Sequence, residues 1–337
     1  MPCDGSLSRR LLCPLTLLIV LVSFLATAKA QNGYISFDVP HARHTLPEAL
    51  NRNGLIGGHY TDAVGMWHLF LRTRAGAFLT TEPDNSAFSY ITSVNTAGAA
   101  VGQYTDTNFV PHGFFRSRNG LYRNINIPGT SYTNPLSIND SGQATGGAFD
   151  RNFQSHGFLW STTGTAILFD VPGSTSTAPA SINASGEITG YYLNGNRRSG
   201  FIRDAAGNFT LFDGGNGTQT LTQPTAINAS GQVTGTFYDD LNVEHAFLRD
   251  VDGTITFFDG PYEAITNPIA MNDLGEIVGN TTFELGYIAF ERDVAGNLDY
   301  IPIPFTQQGS SGNAITNNGH MAGDYLGLDH RFHGWAN

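Results

Sequence analysis

Ala178-Pro179-Ala180-Ser181-Ile182-Asn183-Ala184-Ser185-Gly186-Glu187-Ile188-Thr189-Gly190-Tyr191-Tyr192 is the stretch whose pattern decides the fold. Residues 178–183 read as a short strand a, and Ala184-Ser185-Gly186 as a tight turn. Residues 187–192, rich in β-branched and aromatic side chains, read as strand b. Gly200-Phe201-Ile202-Arg203-Asp204 follows as strand c, Ala205-Ala206-Gly207 as a second turn, and Phe209-Thr210-Leu211-Phe212-Asp213 as strand d. Glycine closes each turn because a hairpin residue with positive φ leaves no room for a Cβ.

The turn signature, apolar-Asn-x-x-Gly-x-x-x-Gly, recurs along the chain. Its copies start at Leu50-Asn51, Val94-Asn95, Ile138-Asn139, Ile182-Asn183, Ile227-Asn228 and Met271-Asn272, with a degenerate copy at Ile315-Thr316. The spacings are 44, 44, 44, 45, 44 and 44 residues, so seven units span residues 31–337 and leave no room for a second domain. Four antiparallel strands per unit predict an all-β fold, a seven-bladed β-propeller. Ile35-Ser36-Phe37-Asp38-Val39-Pro40 matches a fourth strand, Ile167-Leu168-Phe169-Asp170-Val171-Pro172, whereas the chain stops after a third, Phe332-His333-Gly334-Trp335. The last blade is therefore expected to be closed by the N-terminal strand. A closed ring without free edges is expected to be monomeric. A linear solenoid would need capping units, and none is visible.

Residues 1–30 read as a signal peptide: Arg9-Arg10, an apolar run from Leu11 to Leu25, and Ala28-Lys29-Ala30 before Gln31. Secretion, extracellular or periplasmic, follows, and Ser8-Arg9-Arg10-Leu11 faintly matches a twin-arginine signal. Cleavage removes both cysteines (Cys3 and Cys13) and the only lysine, leaving 14 arginines against 27 acids, a net charge of −13. A lysine-free polyanion makes nucleic acid and anionic membranes poor partners. With no disulfide, the exported fold must be held by core burial.

His245-Ala246-Phe247, with the variants His112-Gly113-Phe114, His156-Gly157-Phe158 and His333-Gly334-Trp335, stands beside the repeated Ile-Asn-x-x-Gly. On these motifs residues 34–337 resemble the HAF-type family of extracellular repeats. The resemblance implies export and repeat architecture and carries over no catalytic residue; Ser199 and Ile288 depart from it at the His position.

Asp62/His68, Asp106/His112, Asp150/His156 and Asp239/His245 share one spacing across the b–c turn, which suits a hydrogen bond stapling each hairpin better than a converging ligand ring. Tyr60, Tyr104, Tyr192, Phe237 and Tyr325 end the b strands and are expected to pack between blades. Trp67, Trp160 and Trp335 on strand c are expected in the core. The b–c and d–a connections, longer and more varied than the others, share one face, the top, where a site is expected.

The histidines outside the strand c column are His41, His44, His59, His320 and His330, all in the first or last unit, which closure would make neighbours. His41, Arg43, His44, Glu48, His59, Asp324, Asp329 and His330 are therefore the candidate ligand-binding residues at that seam. No cofactor is expected, with one opening, a metal held by His41, His44 and His330. The expected function is a secreted, non-catalytic propeller binding a carbohydrate, a protein or a cell-surface ligand through its top-face loops. A propeller enzyme with a top-face site is the first alternative, either a glycoside hydrolase or a polysaccharide lyase. Glu48, Glu263 and Glu284 are its candidate acids. A structural envelope or matrix protein is the second.

Overall fold

The a–b turns show how the repeat is built. Asn183 Oδ1 accepts the backbone N–H groups of Ser185 and Glu187 at 3.0 and 2.9 Å, and Gly186 follows with φ 82°. The free end of the same amide reaches sideways: Asn183 Nδ2 donates to the Asn228 carbonyl of the next unit at 3.0 Å. Asn51, Asn95, Asn139, Asn228 and Asn272 make the equivalent bond to the following turn, over 2.8–3.4 Å. The recurring asparagine thus caps its own hairpin and fastens it to its neighbour. Thr316, its degenerate counterpart, has no amide to donate and bonds within its own turn to Asn318 and His320.

A computed structural model describes residues 33–215, 221–260, 265–283, 286–303 and 306–337. Residues 1–30, expected to be a signal peptide, and Glu263 and Glu284 lie outside the described residues. Every helix or strand among the described residues is a strand, 28 in all, and Tyr34–Asn337 make one unit. Unit 1 comprises strands His44–Leu50, Ile56–Thr61, Trp67–Arg72 and Phe78–Leu79, paired in that order. Units 2 to 5 repeat it as four more four-stranded sheets.

The sixth sheet has eight strands. It joins units 6 and 7 through a single parallel pair, Tyr287 with Gly309. Seven separate sheets are predicted by the period; six are found. The reason is local: strand a of unit 7, Thr306–Ile315, is ten residues long, and at its irregular start a side-chain-free glycine lets the backbone come against Tyr287. At the other edge of this sheet Ile35, Ser36 and Phe37 pair with Ala336, Trp335 and Gly334, the two chain ends sharing one sheet as the sequence predicts.

Neighbouring units bury their apolar side chains against each other. Phe70, Phe114, Phe158, Phe201, Phe247, Phe290 and Trp335, one per unit on strand c, are the largest side chains fully withdrawn from water. Phe37, Ala322 and Ala336 from unit 7 share a cluster with Ile56 and Phe70 of unit 1, so the last unit packs on the first.

Each strand a carries a bulge. In unit 1 Pro47 pairs with Gly58 and Ala49 with Gly57, leaving Glu48 unpaired. Proline suits this spot because the ladder is already interrupted there. The second glycine of the motif has its cause here too: a Cβ at Gly58 would land on the Leu46 carbonyl oxygen, and the same holds at Gly190 and Gly323 for their partner strands. The b–c turns depart from expectation. In units 1, 2, 3 and 5 they are as tight as the a–b turns, because an aspartate takes the role of the asparagine; Asp62 Oδ1 accepts from Val64 and Met66, both at 2.9 Å.

Candidate functional site

Strand a of all seven units faces one cavity of about 850 Å³. The residue released by each bulge lines it: Glu48, Thr92, Leu136, Ala180, Thr225, Ile269 and Asn313. Below them lies a ring of alanine and serine, and below that an aliphatic floor of Leu50, Val94, Ile227, Met271 and Ile315. Toward the b–c turns the wall becomes aromatic and polar, with Trp67, Tyr90, Asn134, Phe149, Tyr191 and Gln223.

Glu48 is the only ionisable member of the bulge ring. Its side chain keeps 39% of its surface open, yet cavity walls surround it. That enclosure counts for its charge: desolvation first, and the Asp324 carboxylate second, push its pKa up to about 8. Asp324 is itself raised by burial to about 6, although it accepts a 2.7 Å bond from Asn313 Nδ2 that favours its ionised form. The same Nδ2 donates to the Pro47 carbonyl at 2.7 Å, tying unit 7 to unit 1 beside Glu48. His59, 8% exposed, is lowered to about 4 by burial, so its ring is neutral. Its Nδ1 has no hydrogen-bond partner among the described residues and stands 3.5 Å from Glu48 Oε1. The ring stacks on Trp67 at 4.8 Å, and Tyr90 lies edge-on to both at 6.3 Å. Trp67, expected in the core, is 45% exposed at this wall; Trp160 and Trp335 are buried as expected.

The eight seam residues divide. Glu48, His59 and Asp324 gather at the cavity. His44 and Asp329 lie in a second group: His44 Nδ1 accepts from the Phe332 N–H at 3.1 Å, and Asp329 Oδ1 is 2.9 Å from His333 Nε2. Burial and then the arginines Arg43 and Arg331 lower the His44 pKa. His41, Arg43 and His330 are exposed, His41 and His330 in left-handed turn conformations. No three His, Cys, Asp or Glu side chains among the described residues come together as a metal-holding group. Thr92, Tyr90, Asn134, Gln223 and Asn313 escape the sequence reading. Aligning the seven units and noting the column three residues before each motif asparagine would have found the ring.

The strand c histidines staple their own units. His68, His112 and His245 lie 3.4–3.5 Å from Asp62, Asp106 and Asp239, and the shorter bonds, 2.8–2.9 Å, run from His68, His156 and His245 to Glu82, Asp170 and Asp259 after strand d. Tyr60, Tyr104, Phe237 and Tyr325 lie with their centroids 4.9–5.2 Å from these rings or from His333.

The b–c turns hold a second feature. Val64, Phe109, Phe153, Leu241 and Leu328 sit on five of these turns, at the same end of the units, and are 66–83% exposed. Phe109 and Phe153 occupy left-handed positions, φ 62° and 61°, filled in other units by Gly65 and Asn242. An aromatic residue is strained there, by about 1–2 kcal/mol.

Compared with protein-family models and with curated sequences, the chain matches none. Its fold does have solved likenesses. Virginiamycin B lyase from Staphylococcus aureus superposes with a TM-score of 0.59 at 12% identity, over 90% of this chain and 99% of that one. The β-propeller domain of the Trilobed protease from Pyrococcus furiosus gives 0.63 at 8% identity, over 89% and 94%. At such identities the likeness is one of fold, and the fold is a β-propeller.

Proposed function

We propose that this chain is an exported seven-bladed propeller that acts as a binding module, engaging a surface partner through its b–c turns. In this reading the eight-stranded sheet is two blades touching at one bridge, and the shared sheet of the chain ends closes the ring. One observation carries the functional part: strained, exposed phenylalanines and three exposed aliphatic residues stand on one end of the molecule, where polar turn residues would be easier to keep. Aliphatic tips favour a protein over a polysaccharide among the ligands considered, because a sugar needs flat aromatic platforms.

The test is a paired screen of the exported chain against a glycan array and against envelope proteins, with Phe109→Asp/Phe153→Asp as control. Retained partner binding by that variant, at unchanged stability, rules out the b–c turns as the binding surface. A second reading, a propeller enzyme, is favoured by the split between Glu48, pushed up to about 8, and Asp324, raised to about 6. A polysaccharide-depolymerisation screen with Glu48→Gln tests it.

A further inference from the structure

The bulge ring is built from neutral residues with one exception. Thr92, Leu136, Ala180, Thr225, Ile269 and Asn313 carry no charge, whereas Glu48 brings a carboxyl into the cavity with a second carboxyl, Asp324, behind it. Among the described residues neither has an arginine within ion-pairing distance; Glu48 faces His59, Tyr90 and Asp324, and Asp324 is held by the uncharged amide of Asn313. Structural needs alone would be met by glutamine at position 48 without the penalty of enclosing an acid. The groups beside it are ring faces: Trp67, half open to the cavity, His59 stacked on it and Tyr90 edge-on. A nine-tenths buried imidazole nitrogen points at the carboxyl with nothing bonded to it. On the far wall the Arg198 guanidinium already covers Tyr191 at 4.7 Å and donates to Gln223, which leaves the Trp67 side as the open one.

We propose that this cavity is a binding site for an organic ammonium ion, held between the Glu48 carboxylate and the open face of Trp67, with Tyr90 beside them. Aromatic faces attract a cation through their quadrupole, and a carboxylate in a partly dry cavity adds charge pairing. Binding is proton-linked: the Glu48 O–H bond breaks, its proton leaves to solvent, and the ammonium ion takes its place opposite the carboxylate. The site is separate from the exposed turn tips, so either can fail without the other.

The test is calorimetry of the exported chain with choline and with its uncharged isostere 3,3-dimethylbutan-1-ol, at pH 6, 7 and 9. Choline is expected to bind, with affinity rising about tenfold per pH unit below 8 and levelling above it, and with one proton released into the buffer at pH 6 and 7. The isostere should bind at least tenfold more weakly at pH 9. Glu48→Gln, which mimics the protonated acid and should melt like the parent, is expected to lose the preference for charge, and Trp67→Ala the affinity for both. Equal affinity for the two probes overturns the proposal, as does choline binding without pH dependence. Binding of neither choline, tetramethylammonium nor spermidine overturns it too, and so does calcium displacing choline at lower concentration.

Discussion

Asn183 shows how much one side chain can hold. Its oxygen satisfies two backbone donors of its own turn, and its nitrogen a carbonyl of the next unit. Asn183→Ala strips all three, together with the 2.7 Å bond from Nδ2 to Glu187 Oε2, and should cost about 2–3 kcal/mol, since each buried polar group left unpaired costs ~1–3 kcal/mol and water will satisfy some of them. Asn183→Thr copies Thr316, which bonds within its turn without reaching sideways, and should cost only about 1 kcal/mol. Urea denaturation of the two variants separates capping from fastening. Phe109 argues in the opposite direction. Replacing it with glycine releases left-handed strain and should stabilise the fold by on the order of 0.5–1 kcal/mol, while weakening partner capture. A variant that melts lower than the parent would show that the phenylalanine contributes packing. Both asparagine and glycine are legible in the sequence because they repeat. Glu48 is legible only as an acid that does not, and its setting depends on Asp324, 276 residues away, which no local pattern reveals.

Strands obey the period closely, and their faces follow from it. Strand c places a phenylalanine or tryptophan at one position in every unit, each wholly buried between sheets. Phe201→Ala should therefore cost ~3–5 kcal/mol, read as a drop in melting temperature, whereas Phe257→Ala, half exposed on an outer strand, should cost under about 1 kcal/mol. Strand a is where pattern reading falls short. Its bulge puts an extra residue into the ladder, so consecutive residues such as Thr92, Ser93 and Val94 all line the cavity, which a strict period of two does not give. Loops are where a site is expected when strands supply only scaffold. Here the strands themselves line the cavity, because seven of them stand around one space and each need repeat only the side that touches its neighbours.

At the scale of the molecule the junction of units 7 and 1 differs from every other. The side-chain fastening that runs from Asn51 to Thr316 stops there, and the join relies on the pairing of residues 35–37 with 334–336, the Asn313 bond to Pro47, and His333. His333 stands 2.9 Å from both Asp38 and Asp329; burial opposes its charge, but the two carboxylates outweigh burial and raise its pKa above 6.5. A raised folded pKa means that its contribution to stability is complete below about 6.5 and fades as pH climbs through the folded value. The stability gap between parent and His333→Asn should thus be wide at pH 5.5 and narrow by pH 9, as read by denaturant midpoints; a gap that widens with pH would reverse the assignment. The joining of the two ends carries a further consequence. Ile35–Phe37 leave the ribosome almost 300 residues before Phe332–Ala336, so the strand has no partner in its sheet until that distant segment has been made. Closing this sheet is therefore the fold's most long-range pairing, and loop-closure entropy makes it a slow step of folding.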